Sequence, residues 1–280
     1  MTRAMELVAA TKMRKSQGVA LRARPYAKKA LSLLRNLLLS SGEENLAGLS
    51  HFFKRTGIVK VCVVALTSDR GLCGAYNSQV LRTALELAGR YPEADIVAVG
   101  RKAHEFFKKR AKNIAASFTH FSDVATLQDA EPLANWLLLS YKTHAYDQII
   151  FCSTVFISAL QQRVEAQEIL PLTIEALEKI IKGIGSLGNG LEPIPYIFEP
   201  TKTLVFEKLV EELVKVEIVH LVFEANASEH SSRMIAMKNA TDNAEELLDT
   251  LILQLNKARQ SAITQELAEI TSAKEALVNE

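Results

Sequence analysis

The chain has 280 residues, 48% hydrophobic and 23% charged, so it can bury a real core and is too apolar to be a disordered segment. Its three cysteines, Cys62, Cys73 and Cys152, lack CxxC spacing, which argues against both a disulfide framework and a zinc site and makes a reducing cytoplasm the simplest setting. The net charge of +1 conceals a polarity: basic residues crowd the first 35 positions against the single acid Glu6, whereas acids outnumber bases from Leu204 onward.

The first element in chain order is a basic helix. Met1, Met5 and Val8 start an apolar stripe, and Ala9, Ala10, Ala20 and Ala23 permit close approach of a neighbour. Pro25 is expected to bend or interrupt the helix, because it removes a donor and crowds the preceding turn. The pattern resumes through Leu31, Leu34, Leu37 and Leu38 and closes at Ser40, Ser41 and Gly42.

A different texture follows. Val59 to Leu66, Ile96 to Val99 and Gln148 to Cys152 are apolar, β-rich runs of strand length. Helical stretches at Asn77 to Ala88, Lys102 to Arg110 and Leu127 to Tyr141 separate them, which predicts a small α/β domain with a largely parallel sheet. Val164 to Leu172 is a further candidate strand, and Tyr196 to Phe198 ends the domain.

From Thr201 to Glu280 there is neither Gly nor Pro. A helix over that span runs roughly 110 to 120 Å at ~1.5 Å per residue, too long to be buried in its own core. Its seam, Met237, Ala244, Leu248, Leu251, Leu255, Ala258 and Ala262, steps by seven and then by alternating four and three, the coiled-coil period. The oppositely charged N-terminal helix is the expected mate. Three parts result: residues 1–55 and 201–280 as two coiled-coil arms, and 56–200 as the α/β domain.

Catalytic motifs fail on context. Gly183, Gly185 and Gly188 spell GxGxxG, but a helical stretch precedes them and Pro193 prevents one afterwards, so a loop is expected. No GxxxxGK[ST] loop occurs, and the HExxH-like start at His104 and Glu105 has Lys108 where the second histidine belongs. His51, His120, His144, His220 and His230 show no ligand spacing and are assigned surface or core-edge roles, so no metal or cofactor is expected. Asn226-Ala227-Ser228 matches a glycosylation acceptor, discounted because nothing else suggests secretion. Few aromatics accompany the basic stripe, and an acidic protein partner or a solvated face accounts for it without nucleic acid. Cys73, in the Ser68 to Gly74 segment after the best strand, has no recognisable base, and the two glycines of that segment read as a tight strand-to-helix turn. No run nears the ~20 apolar residues needed to span a bilayer, so membrane association is expected only through partners.

Three stretches carry a resemblance: AMELVAATKMRKSQ (Ala4 to Gln17), SDRGLCGAYN (Ser68 to Asn77) and RMIAMKNATDNAEELLDTLILQLNKARQSAITQELAEI (Arg233 to Ile270). With RPYA (Arg24 to Ala27) and LPL (Leu170 to Leu172), they resemble the gamma subunit of bacterial F-type ATP synthases over nearly the whole chain. The resemblance implies an antiparallel coiled coil of the terminal helices with a Rossmann-like α/β domain at its lower end, and a non-catalytic rotor shaft. The implied partners are three alpha and three beta subunits, an epsilon subunit and the membrane rotor ring, with one copy of this chain per complex. It also implies a peripheral place at the cytoplasmic face of the inner membrane.

By the same resemblance, Arg259 and Gln260 reach acidic and polar groups of a beta-subunit loop, as suits a guanidinium's forked bonding to carboxylates. Gln265, Glu266 and, opposite them, Met5 are further contact candidates. Arg70 and Cys73 fall in the turn that faces the acidic lever loop of beta. Two departures stand out. The family usually begins about a helical stretch before the position of Ala4, so Met1 is expected to be a late start or a truncation that leaves the upper C-terminal helix unpaired. The plastid-type redox insert with paired cysteines is absent, so thiol control of rotation is not expected.

Overall fold

The computed structural model describes residues 1–41, 52, 57–110, 112–172, 199 and 201–278. Two long helices, α1 (Thr2–Ser41) and α5 (Lys202–Val278), flank an α/β domain. The domain contains, in order, β1 (Lys60–Leu66), α2 (Tyr76–Ala88), β2 (Glu93–Val99), α3 (Arg101–Lys109), β3 (Ile114–Phe118), α4 (Leu127–Lys142), β4 (Gln148–Phe156) and β5 (Gln162–Leu170). The GxGxxG glycines, His51, Gly42 and Tyr196 to Phe198 lie outside the described residues.

The sheet order is β3-β2-β1-β4-β5. The first four strands run parallel and β5 pairs antiparallel with β4, so the sheet is mixed. Every residue from Val61 to Leu66 is buried, because alternate side chains enter different cores on the two faces of the sheet. Val61, Val63 and Ala65 meet Val80, Ala84 and Phe107 from α2 and α3. Cys62, Val64 and Leu66 meet Leu133 and Leu137 of α4 and Phe206, Val210 and Val214 of α5. Each fully buried side chain of this size contributes roughly 1.5–3 kcal/mol, which fixes the lower half of α5 to the sheet.

β3 was not anticipated. Its sequence IAASF has one β-branched residue and alternates half-buried with exposed positions at the sheet edge, so it lacks the apolar run that marked the inner strands.

Two hydrogen bonds set the direction of α1 against α5: Thr241 to Thr2 at 2.7 Å, and Ser16 to Asn226 at 2.6 Å. As the number rises on one helix it falls on the other, so the pair is antiparallel. The period expected for α1 holds but its register does not. Ala9, Met13 and Ser16 are buried, while Met1, Met5 and Val8 are 100%, 44% and 53% exposed. Small residues let the backbones approach, and Met237 of α5, 5% exposed, supplies bulk from the other side. The expected interruption at Pro25 does not occur, since α1 continues through it to Ser41.

The seam on α5 divides at the same level. Met237 is buried, whereas Ala244, Leu248, Leu251, Leu255, Ala258 and Ala262 are all exposed, because α1 reaches only as far as Thr241. No described helix is long and apolar enough to cross a membrane.

Candidate functional site: the joint between shaft and sheet edge

The loops at the carboxyl ends of β1, β2 and β3 converge on one band of α5, Ala225 to Arg233, and on the first turns of α1. They enclose a groove of about 540 Å³ whose lining includes Met5, Lys12, Asp69, Arg70, His230 and Arg233.

The turn after β1 is the most elaborate part. Ser68, 1% exposed, accepts a hydrogen bond from Asn77 at 2.8 Å and donates to the Arg70 carbonyl. Leu72 and Gly74 take left-handed backbone angles, φ +63° and +57°, which turn the chain back into α2 and leave Arg70 and Leu72 outside. Cys73 lies beneath at 2% exposure, where the Asn77 amide donates to its sulfur at 3.1 Å. Burial pushes the Cys73 thiol up, against the Ser68 hydrogen bond and the Arg233 charge that pull it down. A buried thiol held in its protonated form is a poor nucleophile.

Asp69 braces the turn from the other side, accepting from the Arg101 N–H at 2.8 Å and the Phe121 N–H at 3.1 Å. Behind it, Gly100 at φ +87° donates its N–H to the Phe118 carbonyl at 2.7 Å, and a Cβ there would stand 2.2 Å from the Thr67 carbonyl oxygen.

Asp123, after β3, binds Lys12 of α1 at 2.8 Å and lies 3.7 Å from Arg70. Its carboxyl is held below the usual range first by the Lys12 hydrogen bond; partial burial acts in the opposite sense, and the charges of Lys12 and Arg70 lower it further. Its backbone carbonyl meets Nε2 of His230, whose Nδ1 is 3.2 Å from the Arg233 guanidinium. Arginine only donates, so Nδ1 accepts and Nε2 carries the proton: His230 is neutral and in one tautomer. Burial pushes His230 down, outweighing the raising effects of the Asp123 carbonyl and Glu229.

Further along the band, the Tyr76 hydroxyl donates to the Ala225 carbonyl at 3.1 Å, and Ser228 donates to the Thr154 carbonyl at 3.2 Å. Ser231 donates to the Ala159 carbonyl at 2.6 Å and accepts from Gln162 at 2.9 Å. The Asn226 side-chain oxygen accepts from both Ser16 and the Ala125 N–H. One helical stretch therefore ties α1, α2, strand β4 and three loops together. Lys12, Arg70, Arg101 and Arg233 are balanced by Asp69, Asp123 and Glu229 around the groove, an arrangement suited to bracing loops rather than to gathering a polyphosphate.

A family model described as ATP synthase matches residues 1–277. The ATP synthase gamma chain of Heliobacterium modesticaldum is 37% identical over 278 residues, covering 99% of this chain and 93% of that protein. The gamma chain of Rubrobacter xylanophilus is 37% identical over 279 residues, covering 99% and 92%. The chain belongs to the ATP synthase gamma chain family. The fold agrees: a chain in the central stalk and c-ring structure of Tetrahymena thermophila mitochondrial ATP synthase matches with TM-score 0.62 and 24% identity, over 86% of this chain and 99% of that one. A chain in the rotor structure of Euglena gracilis mitochondrial ATP synthase gives 0.54 at 18% identity, over 93% and 99%.

In this gamma-family chain the expected contact residues fall into two groups. Met5 and Arg70 line the groove, both exposed, whereas Cys73 does not reach it and lies buried under the turn. Arg259, Gln260, Gln265 and Glu266 lie far along α5, all exposed, with Gln265 donating to Glu269 at 3.1 Å. His230 and Arg233 were not singled out as functional, and Asn226 stood only in a discounted glycosylation motif. The available signal was a cluster of Asn, Ser and His at 226–232 inside an otherwise apolar helical run.

Proposed function

We propose that this chain is the central rotor shaft of a bacterial F-type ATP synthase, transmitting torque between a proton-driven membrane rotor ring and a catalytic ring of three alpha and three beta subunits. It carries no catalytic site and works as one copy per complex. The α/β domain, residues 56–200, meets the epsilon subunit and the rotor ring, and the arms, 1–55 and 201–280, wind as a coiled coil into the cavity of the catalytic ring. Association with the cytoplasmic face of the inner membrane runs through those partners. A Rossmann-like character of the head is part of this reading; the order β3-β2-β1-β4 with helices on both faces supports it, and the antiparallel β5 is an addition.

The observation that carries the reading is the 77-residue α5, whose lower half is the wall of the α/β core and whose upper part stands clear of it. Beyond Thr241 it projects roughly 55 Å at ~1.5 Å per residue. A shaft shifts the populations of surrounding subunits only if its contacts differ with angle. Arg259, Gln260, Gln265 and Glu266 provide such contacts high on the shaft, and Met5 and Arg70 provide them at the groove, on a turn shaped by Cys73.

Co-expression with alpha and beta subunits tests the proposal. The expected product is an ATPase-active assembly containing one copy of this chain, and an alpha–beta assembly that excludes the chain would refute it.

A further inference from the structure

Arg233 is placed to do more than fill space. Its side chain is only 15% exposed, yet it forms the meeting point of the band and the turn. Nε and Nη2 each reach the Gly71 carbonyl at 3.3 Å, Nη2 also reaches the Arg70 carbonyl at 3.4 Å, and Nη1 faces His230 Nδ1. The Glu229 carboxylate binds Nη2 at 2.7 Å one helical turn earlier and supplies the countercharge. The carbonyl contacts are individually long, but they converge from a planar fork on adjacent carbonyls of one turn, a geometry that a lysine ammonium cannot reproduce.

We propose that Arg233 is a positioning residue that locks the Ser68–Gly74 turn to the shaft helix, fixing the angle at which Arg70 is presented and trapping Cys73 beneath the turn. The other contacts of the turn reach the shaft less directly. Asp69 ties it to the N-terminus of α3 and to Phe121, both in the α/β domain. Arg70 lies 3.7 Å from Asp123, which is joined to Lys12 of α1. Among the described residues, the hydrogen bonds from α5 to residues 70 and 71 all come from Arg233. Without it the turn stays anchored at its base by Ser68 and Asn77 while its tip loses its seat on α5. Only the role given to Arg70 rests on the rotor reading; the lock itself is a property of the free chain.

Cys73 reports on the lock, and Cys62 and Cys152, buried in the sheet at 0% exposure, serve as internal references. Alkylation of the purified chain with iodoacetamide, read cysteine by cysteine by mass spectrometry, measures opening of the turn. Arg233→Ala is expected to speed Cys73 modification about tenfold, the effect of roughly 1.4 kcal/mol of local opening, with Cys62 and Cys152 unchanged. Loss of the Arg233 charge alone predicts the opposite sign, because that charge favours the thiolate. Methylguanidinium at about 10 mM is expected to restore protection where methylammonium does not, since only the former carries the fork. Unchanged Cys73 reactivity in Arg233→Ala overturns the proposal. If that variant loosens all three cysteines together, Arg233→Lys, which keeps the stem and the charge, decides: selective exposure of Cys73 supports the lock, and protection equal to the parent chain overturns it.

Discussion

Gly100→Ala should be among the most damaging single-methyl additions in the α/β domain. Gly100 sits at φ +87°, where an L side chain is strained by about 1–3 kcal/mol. Its new Cβ would meet the Thr67 carbonyl oxygen at 2.2 Å, the carbonyl carbon at 2.7 Å and Oγ1 at 2.9 Å, so Thr67 must move. Thr67 cannot move freely: its N–H donates to the Val99 carbonyl at 2.8 Å, its hydroxyl donates to the same carbonyl at 2.9 Å, and that hydroxyl accepts the Ala103 N–H at 2.9 Å. Losing two of these buried bonds costs about 1–1.5 kcal/mol each, which brings the total to roughly 3–6 kcal/mol. Gly71→Ala is the control, because no heavy atom lies within 4 Å of its added Cβ, and about 0.5 kcal/mol or less is expected. Thermal unfolding followed by the fluorescence of Trp136 reads the domain directly, since that ring packs against Phe118 and Tyr146. The midpoint should fall on the order of 10–20 °C for Gly100→Ala. A midpoint equal to that of Gly71→Ala would refute the steric reasoning.

Acid should loosen the joint through His230. Its folded pKa lies below its unfolded value near 6.5, so the unfolded chain binds more protons between the two; its contribution is complete above about pH 6.5 and is lost as pH falls toward the folded pKa. His230→Gln, which can still donate to the Asp123 carbonyl, should flatten the stability profile below about pH 6.5, as measured by chemical denaturation. Asp129→Ala removes the carboxylate that accepts from the Thr126 N–H and hydroxyl, each at 2.8 Å, at the start of α4; a loss of about 1 kcal/mol is expected in the same assay. Arg259→Ala, on an exposed stretch of α5, should leave the melting midpoint within about 1 °C and alter the turnover of the co-expressed assembly.

The large features were legible because they rest on long patterns. The absence of Gly and Pro after Thr201 announced one helix, and β1, β2 and β4 carried the apolar runs that a doubly covered sheet demands. The register of α1 was misread in part: Met1, Met5 and Val8 were taken to start the seam, whereas Met13 and Ser16 are buried there beside Ala9, which was expected to permit close approach. The joint was least legible. Ser16 and Asn226 lie 210 positions apart, and Arg233 finds Gly71 162 positions away, so no local pattern pairs them. His230 looked like an isolated histidine because its partners are a backbone carbonyl and an arginine, neither of which marks a ligand motif.

The chemistry of the Ala225–Arg233 band bears on how little backlash this coupling has. Ser228 and Ser231 grip main-chain oxygens through side chains with few rotatable bonds, so little free travel precedes the transfer of load. Neither a hydroxyl donor nor an amide oxygen titrates in the physiological range, and neutral bonds of this kind escape ionic screening. Most of the clutch between rod and head should therefore hold its grip as salt rises, leaving His230 and the charged corner around Arg233 and Asp123 as its environment-sensitive elements.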